Sequence, residues 1–323
     1  MKISIAMAVY NGSKFIEKQL DSLRLQTLMP DEVIIFDDNS IDSTQKIIEL
    51  YIEKWNLKGW KYFKNSKNVG WKKNFHLATG ETTGDIVFYC DQDDIWLPDK
   101  IKKMIVSFKE NPQIEVLACK LNLINIDGNA LPDIPSALPF NSLQTGNLVQ
   151  NPINTKFIYT IYPGCTIAIK RELINLITKC EGYDELAHDA LYWKIGTLLN
   201  KAFTLDESLI LYRIHDNNAS NPSDAGKMVV KSIEQRLNEV ETVSEMLYDL
   251  HFVMNQIQHD NVKQNLMILK QLNEFCIKRK AFLNKEINVL YFLFRFGKYY
   301  RNMRMVLGDL LCRISVRISK SEE

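Results

Sequence analysis

Three carboxylates, Asp91, Asp93 and Asp94, crowd into four positions directly after the apolar run Ile86, Val87, Phe88, Tyr89 and Cys90, and Trp96 follows them. Like charges this close disfavour one another's ionised form, so the string must spread into water or share a cation. An all-oxygen donor set suits Mg²⁺ or Mn²⁺ better than zinc. An EF-hand calcium loop fits less well, because Trp96 stands where that loop needs its turn glycine. For the string alone two readings stay open, a solvated acidic turn and a metal site delivered to a cleft by a buried strand.

Other polar residues repeat the pattern of following a strand-like run. Asn11 follows Ile3–Val9, and Asp37 and Asp38 close the run that ends at Phe36. Helix capping is the ordinary alternative there, with Asn39, Ser40 and Asp42 as further candidates. Asp189, preceded by His188, opens an amphipathic run through Leu191, Trp193, Ile195 and Leu198, where capping and chemistry are compatible. Cys165 with His188 would suggest a thiol nucleophile, but no third group is present in the pattern to orient them, and a buried cysteine is usually a small hydrophobe.

The elements that must position these residues alternate. Strands are expected at 3–9, 32–36, 60–63 and 86–89, and helices near 15–23, 42–55, 71–78 and 98–109, the last opened by Pro98. Strand and helix in alternation mean right-handed βαβ units and an α/β fold, a Rossmann-like, mostly parallel sheet flanked by helices. Ligands bind such sheets beyond the carboxyl ends of the strands, so one cleft edge collects Asn11, Asp37, Asp38 and Asp91. A strand at 115–120, a long loop over 125–154, a strand over 159–170, helices near 170–180 and 188–200 and strands around 202–214 complete this part. A polar linker at 217–224 places a domain boundary near 225, dividing residues 1–225 from a helical region, 226–323.

Taken together, MAVYNG at 7–12, the run from Gln19 through QTLMPDEVIIFDDNSIDST to Thr44, NVGWKKNF at 68–75, DQDDIW at 91–96, PGCTIAIKREL at 163–173, HD at 188–189 and YRIHDNN at 212–218 resemble the inverting, GT-A-fold glycosyltransferases of family 2. Within that family the combination is similar to bacterial rhamnosyltransferases of surface polysaccharide synthesis, although Ala190 and Leu191 stand where many members carry two tryptophans. The resemblance implies a nucleotide-sugar donor on dTDP or UDP and an acceptor hydroxyl on a growing polysaccharide or lipid-linked glycan. It implies Asp93, Asp91 and His215 at a Mn²⁺ or Mg²⁺ ion, with Asp91 also at the position that contacts the ribose or the metal-bound diphosphate, and Asp189 as the base that deprotonates the acceptor. Asp38, with Asp37 sharing the task or orienting the loop, would meet the nucleotide base in a pocket lined by Ala8, Tyr10 and Asn11. Asn68 and Lys73 would approach the base or diphosphate, as would Arg213, for which a buried structural pairing is an equally simple explanation. Trp96, Gly164, Cys165, Thr166 and His188 are expected on the acceptor side, Trp96 as a flat face for a sugar ring.

Two alternatives belong to other classes. A sugar nucleotidyltransferase needs a glycine-rich basic loop after its first strand, and MAVYNGSKF is a poor one. A silent glycan- or nucleotide-binding module on the same scaffold would have lost Asp93 or Asp189, and both are present.

Composition sets outer limits. Forty basic against 39 acidic residues give no global electrostatic case for nucleic acid. Six scattered cysteines form no CxxC pair, which leads us to expect reduced thiols and a cytoplasmic location, peripheral at the inner face of the cell membrane if the C-terminus binds lipid. No segment approaches the roughly 20 apolar residues that span a bilayer. Residues 285–320 are different in character, with eight basic residues facing only Glu286 and Asp309 and many aromatic residues between them. A helix of this kind suits an anionic membrane surface or a subunit contact in a homo-oligomer.

Overall fold

The computed structural model describes every residue except 133–143, 161, 217, 219–230, 259–261 and 319–323. The expected loop over 125–154, the polar linker and the basic terminus therefore lie partly outside the described residues.

The first half follows the expected alternation: β1 (Ile3–Val9), α1 (Ile16–Arg24), β2 (Glu32–Asp37), α2 (Thr44–Lys54), β3 (Trp60–Lys64), α3 (Trp71–Glu81) and β4 (Ile86–Cys90). Every residue of β2 and β4 is buried, as strands covered on both faces require. β1 pairs in parallel with β2 on one side and with β4 on the other, and β2 pairs in parallel with β3. Three carboxyl strand ends, those of β1, β2 and β4, thus lie side by side. Asn11 and Asn39, the turn residues after β1 and β2, take φ of 48° and 65°, a left-handed conformation that asparagine tolerates better than most residues.

Beyond β4 the sheet is mixed. The remaining elements are β5 (Ile95–Trp96), α4 (Lys100–Glu110), β6 (Val116–Ile124), β7 (Leu148–Gln150), β8 (Ile167–Lys170), α5 (Arg171–Ile177), α6 (His188–Leu198) and β9 (Ala202–Arg213). The strand order is β3-β2-β1-β4-β8-β6-β9-β5, with β7 beside β9. β8 runs antiparallel to both β4 and β6, and β5 and β7 run antiparallel to β9, whereas β6 and β9 are parallel. The α/β fold holds, but among the described strand pairs beyond β4 only β6 with β9 is parallel.

The strand expected over 159–170 shortens to its last four residues. Pro163 starts a tight turn, in which the Thr166 amide and hydroxyl both donate to the Pro163 carbonyl, at 2.9 and 2.7 Å. A backbone folded onto itself in this way cannot join a ladder. β7, inside the expected loop, forms because β9 offers it a free edge.

The C-terminal part is helical: α7 (Ile233–Gln256), α8 (Val262–Leu283), α9 (Val289–Phe296) and α10 (Met303–Ile318). Ser232 and Gln235 form a reciprocal capping box at the start of α7. Leu247, Leu250, Val253 and Met254 of α7 join the same buried cluster as the sheet. Asp309 of α10 is fully buried and accepts from Arg236 of α7 (2.7 Å), from Arg279 of α8 (2.7 and 3.0 Å) and from the Tyr300 hydroxyl (2.7 Å). One carboxylate thereby ties three helices together. Among the described residues no helix is long and apolar enough to cross a membrane.

Candidate active site

A cleft of about 420 Å³ opens at the carboxyl edge of β1, β2 and β4. Of the residues singled out in the sequence, it gathers Ala8, Tyr10, Asp38, Asn68, Asp91, Asp93, Gly164, His188 and Asp189 on its walls. Side-chain alternation along β2 divides the neighbouring pair Asp37 and Asp38. Asp37 is fully buried and spends its carboxylate on the Ser40 amide (2.7 Å) and the Tyr62 hydroxyl (2.6 Å), so it orients the loop and does not line the cleft. Asp38 faces the cleft and accepts from the Val69 amide (2.7 Å), the Gly70 amide (2.8 Å) and Asn65 Nδ2 (2.9 Å). A carboxylate offers about four acceptor positions, which leaves roughly one for a ligand.

Asn11 is corrected from pocket lining to loop brace, because its Oδ1 accepts from the Ile41 amide at 3.0 Å and its own amide donates to Ser40 Oγ at 2.9 Å. Lys73 is exposed and absent from the cleft wall, where α3 instead presents Trp71, Asn74 and Phe75. The charge of its neighbour Lys72 acts on Asp189, after the larger effect of Lys194 in α6. Asn68 lines the cleft as expected.

The turn after β4 is held by a residue that pattern reading passed over. Gln92 accepts from the Tyr10 amide at 2.8 Å and donates to the Tyr10 carbonyl at 3.0 Å, extending the β1–β4 pairing with a side chain. Gly12 leaves room for this side chain, since a Cβ there would displace the Gln92 amide from its place against Tyr10. β5 then pairs with β9, Ile95 opposite Leu211, which brings the residues after β9 back to the acidic turn. His215 Nε2 lies 2.8 Å from Asp93 Oδ2, and its ring stacks on Phe15 with centroids 5.0 Å apart.

Arg213 is buried beneath this turn. Its guanidinium donates to the carbonyls of Asp93 (2.8 Å), Asn125 (3.1 Å) and Ile126 (3.0 Å), and its amide donates to Asp94 (3.0 Å). The structural explanation therefore holds for Arg213, which braces the turn from behind and is absent from the cleft wall.

Two donor groups could hold a cation. Asp91, Asp94 and the Cys165 thiol offer atoms within 4.8 Å of one another. Burial, and then the charges of Asp94 and Asp91, push the Cys165 thiol well above its ordinary pKa, and burial does the same for Asp94, so both favour their protonated forms. Asp91 and Asp93 also line the cleft, with the His215 imidazole against Asp93, an oxygen-rich donor set of the kind Mg²⁺ or Mn²⁺ takes, although among the described residues only Asp91, Asp94 and Cys165 bring three ligand atoms within 4.8 Å of one another. Burial raises Asp91 to about 7, with Asp93 and Asp189 adding to the effect, and such anionic crowding is what a divalent cation would relieve.

α6, whose His188 and Asp189 also line the cleft, begins at His188, with Ala187 and not Asp189 as its N-cap residue. The Asp189 carboxylate accepts from the Ala190 amide at 2.7 Å, and burial lifts it to about 6. His188 is 2% exposed, lies between Phe75 and Tyr89 at centroid distances of 4.0 and 4.4 Å, and is held neutral by burial. Gly164 must be glycine, because a Cβ would sit 2.2 Å from His188 Nε2.

Three expected acceptor contacts are corrected. Trp96 is 2% exposed, lies against Phe88 and has the Lys100 ammonium 3.1 Å from its ring centroid, so no face remains for a sugar. Cys165 and Thr166 are fully buried, the Cys165 carbonyl accepting from Lys100 Nζ at 2.6 Å. Only Gly164 of that triplet reaches the cleft.

Residues 4–176 match the family described as Glycosyl transferase family 2. The dTDP-rhamnosyl transferase RfbG of Shigella flexneri is 28% identical over 282 residues, covering 78% of this chain and 88% of that protein. Among solved structures, Staphylococcus aureus TarS 1-349 in complex with UDP superposes with a TM-score of 0.58 at 19% identity, covering 90% of this chain and 76% of that one. GalNAc-T7 with UDP, GalNAc and Mn²⁺ gives a TM-score of 0.55 at 13% identity, over 88% and 57% of the two chains.

Proposed function

Since the chain belongs to glycosyl transferase family 2 and is a glycosyltransferase that uses a nucleotide-sugar donor, we propose that it is a metal-dependent inverting enzyme. Its acceptor in this reading is a hydroxyl of a growing bacterial surface polysaccharide or lipid-linked oligosaccharide, and its catalytic unit is residues 1–225. The observation that carries the reading is one cleft whose walls bring Asp38, Asp91, Asp93 and Asp189 together. Asp38 keeps an acceptor position for an imide N–H, which favours uracil or thymine. The donor is accordingly dTDP- or UDP-linked, with dTDP-rhamnose suggested by what RfbG is named for.

Asp91, Asp93 and His215 would hold the divalent cation, which when bound supplies charge neutralisation for the leaving diphosphate. Asp189 accepts the acceptor's hydroxyl proton as that oxygen bonds to the anomeric carbon, and the broken carbon–oxygen bond leaves its electron pair on the diphosphate. A base with a pKa of about 6 is mostly ionised at neutral pH yet basic enough to help, a contribution of roughly 10² to 10⁴ in rate. His188, neutral and fixed, shapes the wall beside it.

Calorimetric titration with UDP, dTDP and GDP, each with and without Mn²⁺, tests this directly. Metal-stimulated binding of one pyrimidine diphosphate is the expected result. Equal binding of GDP, whose N1–H can also donate to a carboxylate, would remove the pyrimidine preference, and no binding of any would leave the binding-module alternative in place.

A further inference from the structure

The C-terminal helices turn large apolar side chains toward solvent. Leu290, Tyr291 and Phe294 are 78%, 52% and 96% exposed on α9, and Met303 and Leu307 are 69% and 53% exposed on α10. Their spacing puts 290, 291 and 294 on one face of α9, and 303 and 307 on one face of α10. The opposite face of α9 is already satisfied, Phe292 stacking on Phe282 at 4.3 Å and Phe296 lying buried beside it. These helices thus divide their aromatic residues between a packed inner side and an outer side that an isolated soluble surface would not favour.

Charge accompanies the apolar face. Between 285 and 304 there are five basic residues and one acidic residue, Glu286, in a chain that is otherwise nearly balanced. Arg295, Lys298 and Arg304 are exposed, with Arg295 and Lys298 lying beside the rings of Phe296 and Tyr299. The patch is also fixed in place relative to the cleft. Lys156 donates to the Arg301 carbonyl at 2.7 Å, and Lys194 of α6 donates to the Thr160 carbonyl at 2.7 Å, a few residues before Pro163 and Gly164 on the cleft wall.

We propose that α9 and α10 form a surface that seats this protein on an anionic lipid bilayer. Leu290, Tyr291, Phe294, Met303 and Leu307 enter the interface, and Arg295, Lys298 and Arg304 meet the lipid phosphates. Aromatic and aliphatic side chains framed by basic ones on short helices have the chemistry of interfacial binding. A second copy fits less well: a two-fold contact sets the same patch against itself, and this patch would oppose like charges. The surface is independent of the donor and acceptor assigned above.

The test is co-sedimentation of the full chain, without nucleotide or metal, with vesicles of phosphatidylcholine alone or mixed with phosphatidylglycerol. Binding to the mixed vesicles and little to the neutral ones is expected. Arg295→Gln with Lys298→Gln should weaken it roughly 25-fold, about fivefold per basic side chain. Leu290→Ser with Phe294→Ser should abolish it while leaving thermal unfolding unchanged, since both side chains are exposed. Failure of the wild type to sediment with the mixed vesicles overturns the proposal, as does a dimer in light scattering that the serine pair dissociates.

Discussion

Replacing Asp189 by Asn should make the protein more stable and nearly inactive, and the two effects should share one pH window. The oxygen of the introduced amide can still accept from the Ala190 amide, so the local geometry survives. Burial raises the Asp189 carboxyl from 3.8 to about 6 in the folded chain. A carboxyl raised on folding stabilises the native state below its unfolded pKa and loses that contribution as pH rises through the folded value. Above about pH 7 the native state therefore bears the cost of a buried carboxylate, an upper bound of ~3 kcal/mol from a shift of about two units. Screening by water at this partly exposed site brings the expected gain for Asp189→Asn to ~1–2 kcal/mol. About half of the gain should persist at pH 5 and less toward pH 4, as linkage requires. Denaturant unfolding of the metal-free protein at pH 7.5 and pH 5 reads this out. In parallel, wild-type kcat/KM should fall about tenfold per pH unit below about 6, and the variant should lose roughly 10² to 10⁴ in kcat with nucleotide affinity retained. A variant with more than a tenth of wild-type activity, or one that loses donor binding as steeply as rate, would remove Asp189 from the base role. A stability gain independent of pH would refute the burial argument itself.

Three further outcomes follow from the geometry. Asp93→Ala should abolish the Mn²⁺ stimulation of nucleotide binding, weakening it at least about tenfold by calorimetry; unchanged affinity would take Asp93 out of the cation site. Gly164→Ala drives a methyl to 2.2 Å from His188 Nε2 and should cost ~1–3 kcal/mol of stability along with activity, with the Gly164→Ala and His188→Ala pair recovering part of the stability. Full wild-type stability in the single variant would show that the imidazole can step aside. Asp309→Asn leaves the guanidinium groups of Arg236 and Arg279 buried without their counter-charge and should cost ~3–5 kcal/mol in urea unfolding. A loss below ~1 kcal/mol would mean that the helices do not depend on that junction.

Local pattern is enough to read β1, β2 and β4, because strands covered on both faces must be continuously apolar and carry that requirement in adjacent residues. It also locates Asp38, Asp91 and Asp93 at strand ends, and the amphipathic start of α6 locates Asp189. Tertiary structure decides which of these polar groups share a cleft and which serve as braces. Asp37 and Asp38 look alike in sequence, and the pleat and the Tyr62 hydroxyl on β3 separate them. Lys72 and Lys73 are adjacent lysines on α3, and Lys72 is among the charges that act on Asp189. Trp96 reads as an exposed platform until β5 pairs with β9 and Lys100 covers its ring. Gln92, unremarked between two aspartates, gains its role from the neighbouring end of β1. β8 enters antiparallel between β4 and β6, strands far from it along the chain, and no local periodicity specifies such a partner. The sequence by itself determines which residues can do the chemistry. Only the long-range pairing of strands, by fixing each side chain's face and neighbours, decides which of them meet.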